Sequence, residues 1–126
     1  MSPTKKRILI VDDAGPVVVL CVNVLQALGY SVAFAPDGNR AIDMGASGDY
    51  DLIILDVHMP LYDGTEVLRM LRARHRLRPV KVIALTADPL PQTRQELERA
   101  GLDGFLAKPV DLNELQAEIV RVLGEG

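Results

Sequence analysis

The sequence predicts an α/β domain: a five-stranded parallel sheet, doubly wound by helices. Short apolar runs rich in β-branched residues alternate with longer helix-like segments from one end to the other. The runs are continuously apolar, as strands buried on both faces of a parallel sheet must be. The connections are short, so each helix can act as a right-handed crossover between parallel strands.

The elements follow in order. Arg7–Val11 (RILIV) reads as the first strand, with Ser31–Ala35, Leu52–Leu55, Val80–Leu85 and Gly104–Ala107 as the other four. The intervening helices are Pro16–Leu28, Gly38–Ala46, Gly64–Arg74, Pro91–Ala100 and Leu112–Leu123. Gly15 can cap the first helix, and Pro16 takes its first position, where a missing N–H costs nothing. Asp63 with Glu66, and Asp111 with Glu114, have the spacing of capping boxes. Gly29 and Gly101 follow two helix ends. Leu112, Leu115, Ile119 and Val122 form one apolar stripe on the last helix. The second and fourth helices have the least to bury: the fourth offers mainly Leu90, Leu97 and Ala100.

The chain of 126 residues fits one domain, 1–126, with its core over about 6–124. At 48% hydrophobic and 25% charged it has too much apolar material for a disordered chain. A single cysteine, Cys21, excludes a disulfide scaffold and reads as a small core residue. The longest apolar stretch, Val17–Leu28, is broken by Asn23 and Gln26 and is too short for a membrane span. No export leader is recognisable, so a cytoplasmic protein is expected. A net charge of −3 argues against bulk electrostatic binding of nucleic acid. The basic run Arg72–Arg78, with His75, reads as a solvated helix C-terminus.

Ligands of such a sheet bind beyond the carboxyl ends of its strands. Asp12 and Asp13 follow the first strand, Asp56 the third, Thr86 the fourth, and Lys108 with Pro109 the fifth. Three carboxylates, a hydroxyl and an ammonium therefore converge on one rim. Two carboxylates roughly 4 Å apart repel by about 4 kcal/mol at an effective dielectric near 20. Lys108 offsets part of that charge, and a divalent cation would offset the rest. All-oxygen ligation points to Mg²⁺, whereas no His/Cys cluster suggests zinc. Taken singly, each residue has an ordinary reading. Asp12–Asp13 can cap a helix, Asp56 can open a turn ending at Pro60, Thr86 can cap the next segment, and Lys108 and His58 can be surface residues. Their order at four strand ends outweighs those readings.

Ile8–Asp13 (ILIVDD), Leu52–Pro60 (LIILDVHMP), Ala84–Ala87 (ALTA) and Phe105–Pro109 (FLAKP) resemble the motifs of response-regulator receiver domains. The resemblance spans nearly the whole chain. It implies a flavodoxin-like (βα)5 fold with strand order 2-1-3-4-5. It further implies that Asp56 accepts a phosphoryl group from a phosphohistidine, with Thr86 and Lys108 holding phosphoryl oxygens. Asp13, Asp56, the backbone carbonyl of His58 and, through water, Asp12 would hold Mg²⁺. Thr86 and Phe105 match the switch positions, and Lys108–Pro109 matches a cis peptide. Phe105 stands where the family often has tyrosine, and so has no hydroxyl to anchor. Asp88 and His58 flank the phosphoryl position. The implied partner is a histidine kinase or histidine-phosphotransfer protein, with no nucleic acid or membrane, and the chain a monomer or weak dimer. It implies a switch, not an enzyme turning over an external substrate.

A helical wheel of Pro16–Leu28 assigns Val17, Leu20, Cys21, Val24, Leu25 and Leu28 to the core. Val19 and Val22, flanked by Val18, are then an outward apolar patch suited to docking the phosphotransfer partner. The competing functions fit less well. A haloacid-dehalogenase-type phosphatase needs a second acid two residues after its nucleophile, where His58 stands. A flavodoxin-like ligand binder needs a Gly- or hydroxyl-rich phosphate loop in place of Asp12–Asp13. A receiver-like module that is never phosphorylated would not need the full acid set.

Overall fold

The computed structural model describes residues 6–12, 15–47, 50–57, 63–74, 80–87 and 91–124. Five strands, β1 (Arg7–Val11), β2 (Ser31–Ala35), β3 (Leu52–Asp56), β4 (Lys81–Thr86) and β5 (Gly104–Ala107), alternate with five helices. These are α1 (Gly15–Ala27), α2 (Gly38–Ser47), α3 (Gly64–Arg74), α4 (Pro91–Arg99) and α5 (Leu112–Leu123). All strand pairs are parallel and the order is β2-β1-β3-β4-β5, as the resemblance implies. Strand-end assignments differ from expectation by one residue: Asp56 and Thr86 close their strands instead of following them.

Side chains alternate across the sheet and build two cores. Leu9, Val11, Ile53, Leu55, Val82 and Ala84 face the layer of α2, α3 and α4, packing with Ile42, Leu68, Leu71 and Leu97. Ile8, Ile10, Leu52, Ile54, Ile83 and Leu85 face α1 and α5, packing with Val18, Cys21, Leu25, Leu115 and Ile119. β3 is buried at every position, as a central parallel strand should be. No helix of the described residues is long and apolar enough to cross a membrane.

The caps are where the acids predicted them. Asp111 accepts hydrogen bonds from the backbone N–H groups of Asn113 and Glu114 at the start of α5. Asp63 accepts one from Thr65 N–H at the start of α3, at 2.9 Å. Both weakly apolar helices form, α2 burying Ala41 and Ile42 and α4 burying Leu97.

The rotation of α1 differs from expectation. Val18, Cys21 and Leu25 are buried, whereas Leu20 and Leu28 are 49% and 42% exposed. Val22 packs partly against the core, so of the proposed patch only Val19, 60% exposed, stands on the surface. Val18 is therefore a core residue and Val22 a half-buried one, so the expected outward patch of Val18, Val19 and Val22 does not form. The helix is apolar nearly all round, so two stripes satisfied the helical period equally. Asn23 carried the deciding signal: the direction opposite it runs between Cys21 and Leu25.

At the end of the sheet away from the rim, Arg72 of α3 ties several elements together. Its guanidinium donates to the carbonyls of Val80 and Gly101 and pairs with Asp103 at 2.6 Å. Asp103 also accepts the N–H of Val82. Gly101, at φ +104°, leaves room for this contact, since a Cβ there would lie 3.0 Å from Arg72 Nε.

Candidate functional site

The parallel register brings the carboxyl ends of β1, β3, β4 and β5 to one rim. Val11 pairs with Leu55, Asp56 with Leu85, and Thr86 with Ala107, so Asp12, Asp56, Thr86 and Lys108 gather there. Hydrogen bonds from Asp12 N–H to Ala35, Val57 N–H to Leu85 and Lys108 N–H to Thr86 extend the ladder to these residues. Asp12 and Thr86 are fully buried and Asp56 is 1% exposed.

Lys108 Nζ lies 2.7 Å from Asp56 Oδ2 and 3.5 Å from Asp12 Oδ2, one ammonium serving two buried carboxylates. Burial alone would depress the lysine's pKa. The hydrogen bond to Asp56 and the charges of Asp56 and Asp12 outweigh it and hold the ammonium above its ordinary value. Burial, reinforced by the charge of Asp12 and opposed by Lys108, pushes the Cys21 thiol up, which suits an inert core residue. The pair of carboxylates exceeds the one lysine in charge, and all their donor atoms are oxygens. That donor set fits a hard divalent cation. Among the described residues no three acidic, histidine or cysteine side chains gather as a metal cluster. Asp13 and His58, the other expected ligands, lie outside the described residues, as do His75 and Asp88.

Comparison with known proteins decides what this rim belongs to. Residues 8–120 match the family model of the response regulator receiver domain. The chain belongs to the response-regulator receiver family. It is 34% identical over 117 residues to the chemotaxis protein CheY of Pseudomonas aeruginosa, covering 92% of this chain and 94% of that protein. It is 36% identical to the aerobic respiration control sensor protein ArcB of Escherichia coli, covering 90% of this chain but 14% of ArcB. Among solved structures, it superposes with a TM-score of 0.86 on the receiver domain of a Pseudomonas aeruginosa sensor histidine kinase. That domain is 34% identical, with 97% of this chain and 100% of the other covered, and carries a magnesium ion coordinated in its active site cleft. The receiver fold thus occurs both as nearly an entire protein and as a small part of much longer sensors, and it serves two-component signalling.

Other receiver features also appear. The Lys108–Pro109 peptide is cis. Phe105, on edge strand β5, is half-buried and lines a cleft of about 500 Å³ between α4 and α5. The Arg94 guanidinium sits 5.1 Å from the centre of the Phe105 ring, and Glu118 accepts the Phe105 N–H at 2.9 Å. Sequence reading missed both neighbours, because neither belongs to a motif.

Glu118 gives the receiver an acid-sensitive contact. The hydrogen bond from Arg121 holds its carboxyl below the ordinary value of 4.5, against the opposing effect of burial. The Phe105 N–H and the charges of Arg121 and Arg94 add to the lowering. A carboxyl with a depressed native pKa stabilises the fold above its unfolded pKa, and that contribution is lost as pH falls through the native value. Urea midpoints taken from about pH 7 down to about pH 3 should therefore fall less steeply for Glu118→Gln than for the parent. Parallel curves would contradict this.

Proposed function

We propose that this receiver is a phosphorylation-dependent switch whose acceptor is Asp56. One observation carries the reading: a buried strand-end carboxylate held 2.7 Å from a lysine ammonium, with a second buried acid 3.5 Å from the same ammonium. An Asp56 oxygen attacks the phosphorus of a phosphohistidine. The P–N bond breaks and its electron pair, with a proton, stays on the imidazole. Lys108 then neutralises one phosphoryl oxygen and the Thr86 hydroxyl donates to another. In a loose phosphoryl-transfer transition state such positioning and neutralisation are most of the catalysis.

Asp12, Asp13, Asp56 and the backbone carbonyl of His58 would hold Mg²⁺, which would supply positive charge to offset that of the transferring group. Later hydrolysis of the acyl phosphate resets the switch, so the chain modifies itself and is not a turnover enzyme. In this reading it acts in the cytoplasm, partnered by a histidine kinase or phosphotransfer protein. Mass spectrometry after incubation with acetyl phosphate tests the proposal. One phosphoryl group should appear with Mg²⁺ and none with a chelator; uptake independent of metal would count against it.

The partner surface follows from the corrected rotation of α1. Among the described side chains, Val19 and Leu20 are the large exposed apolar ones of the helix's first half, which begins beside the rim. Val19→Glu should slow transfer from a phosphohistidine protein about tenfold, equivalent to ~1.4 kcal/mol, and leave acetyl phosphate uptake unchanged. Equal rates from the protein donor would remove α1 from the docking surface.

A further inference from the structure

Helix α4 is joined to the body of the protein by little: of its nine residues only Leu97 is buried. Its first half carries Arg94, whose side chain reaches over the Phe105 ring of β5. The guanidinium is aimed by Glu98, which accepts from Arg94 Nε at 2.9 Å one helical turn away. Glu118 lines the same cleft as this cation. Arg121, the other cation lining the cleft, is engaged by Glu118 and by the carbonyl of Asp103. Phe105 has no hydroxyl, so besides its partial packing on the core it is held by its ring face and its backbone N–H. The ring face is against Arg94 and the N–H is on Glu118.

We propose that Arg94 is a positioning residue. Its cation–π contact holds Phe105 at the cleft and the first half of α4 against β5, and so restrains the switch in the unphosphorylated state. The proposal rests on the reading of Asp56 as the acceptor. β4 and β5 connect the two sites: Phe105 pairs with Ala84, two residues before Thr86, and lies three residues before Lys108. A ring held at the cleft therefore biases both groups that must close on the phosphoryl oxygens. Cation–π contacts at exposed sites are modest, and releasing one is expected to shift a two-state equilibrium by about two- to fivefold.

The chain has two phenylalanines, Phe105 and Phe34, on the opposite edge strands β5 and β2. In protein labelled with ¹³C-phenylalanine, Arg94→Ala should move the Phe105 ring signals and leave those of Phe34 in place. Acetyl phosphate uptake at Asp56 should become about two- to fivefold faster. Arg94→Lys, which keeps a cation over the ring, should restore most of both readouts, whereas a purely structural role for Arg94 predicts no such rescue. Glu98→Gln, which loosens the guanidinium, should change both in the same direction as Arg94→Ala. Arg94 and Glu98 are both more than half exposed, so these changes do not hollow a core. Unmoved Phe105 signals in Arg94→Ala would overturn the proposal, as would moved signals with an unchanged uptake rate. If the parent protein takes no phosphoryl group at Asp56, the functional reading fails, while the ring signals still decide whether Arg94 positions Phe105.

Discussion

Asp56→Asn is expected to reduce phosphoryl uptake from acetyl phosphate with Mg²⁺ to background. The amide removes the nucleophilic oxygen charge and a metal ligand together, leaving Thr86 and Lys108 with nothing to hold. An equal mass increase in the variant would show that the acceptor lies elsewhere. The substitution also has a consequence for stability. With Asp56 neutral, among the described residues the Lys108 ammonium keeps Asp12, at 3.5 Å, to oppose its burial. A lysine with a raised native pKa stabilises the fold below its unfolded value of 10.5, and that contribution is lost as pH rises through the native value. The variant should therefore show a shallower loss of stability on the alkaline side than the parent. Urea titrations at several alkaline pH values would read the difference, and matched slopes would refute it.

The second large effect is expected at Gly64, the first residue of α3. A Cβ there would lie 2.5 Å from the Cα of Val57 and 2.6 Å from its Cβ, closer than atoms can approach. Val57 directly follows Asp56 and is tied to Leu85 by its N–H at 3.1 Å. The start of α3 thus rests on the backbone next to the acceptor, and the obstruction is not a flexible side-chain end. Gly64→Ala should cost about 1–3 kcal/mol of stability as Val57 or the helix gives way. If Val57 gives way, the Asp56 carboxylate moves relative to Lys108 and phosphoryl uptake slows as well. A core substitution of matched destabilisation far from the rim, such as Leu71→Ala, should leave uptake near the parent rate. A melting temperature for Gly64→Ala equal to that of the parent would show that the contact is not tight.

These expectations draw unequally on what was legible beforehand. The strands could be read because parallel burial demands uninterrupted apolar runs, and β3, buried throughout, is the clearest case. The rim could be read because strand ends in such a sheet converge, so Asp12, Asp56, Thr86 and Lys108 met without any need to foresee side-chain geometry. The helix starts at Asp63 and Asp111 were legible because a cap is a local event spanning three residues. The rotation of α1 was misread because hydrophobicity is nearly uniform around it, and a lone Asn23 carries little weight against many valines and leucines. Arg72 was read as solvated surface and Arg94 was not singled out, because nothing periodic marks an arginine that reaches across elements. Arg72 reaches Asp103, 31 residues away, and Arg94 reaches Phe105, 11 residues away.

The Arg72 tie has a mechanical consequence. It anchors the carbonyl of Gly101, just past the end of α4, to the base of α3, to the start of β4 and to Asp103. One tip of α4 is thereby pinned by hydrogen bonds and an ion pair, while its first half, nearer the rim, is held to β5 by the weaker Arg94–Phe105 contact. A nine-residue helix is about 13 Å long, so pivoting it by about 10° around the pinned tip displaces the other tip by about 2 Å. With the base of the molecule as fulcrum, a small change at the rim would be expressed as a swing of this one helix. Amide exchange should record this as a gradient along α4, slowest beside Gly101 and fastest at Pro91's end.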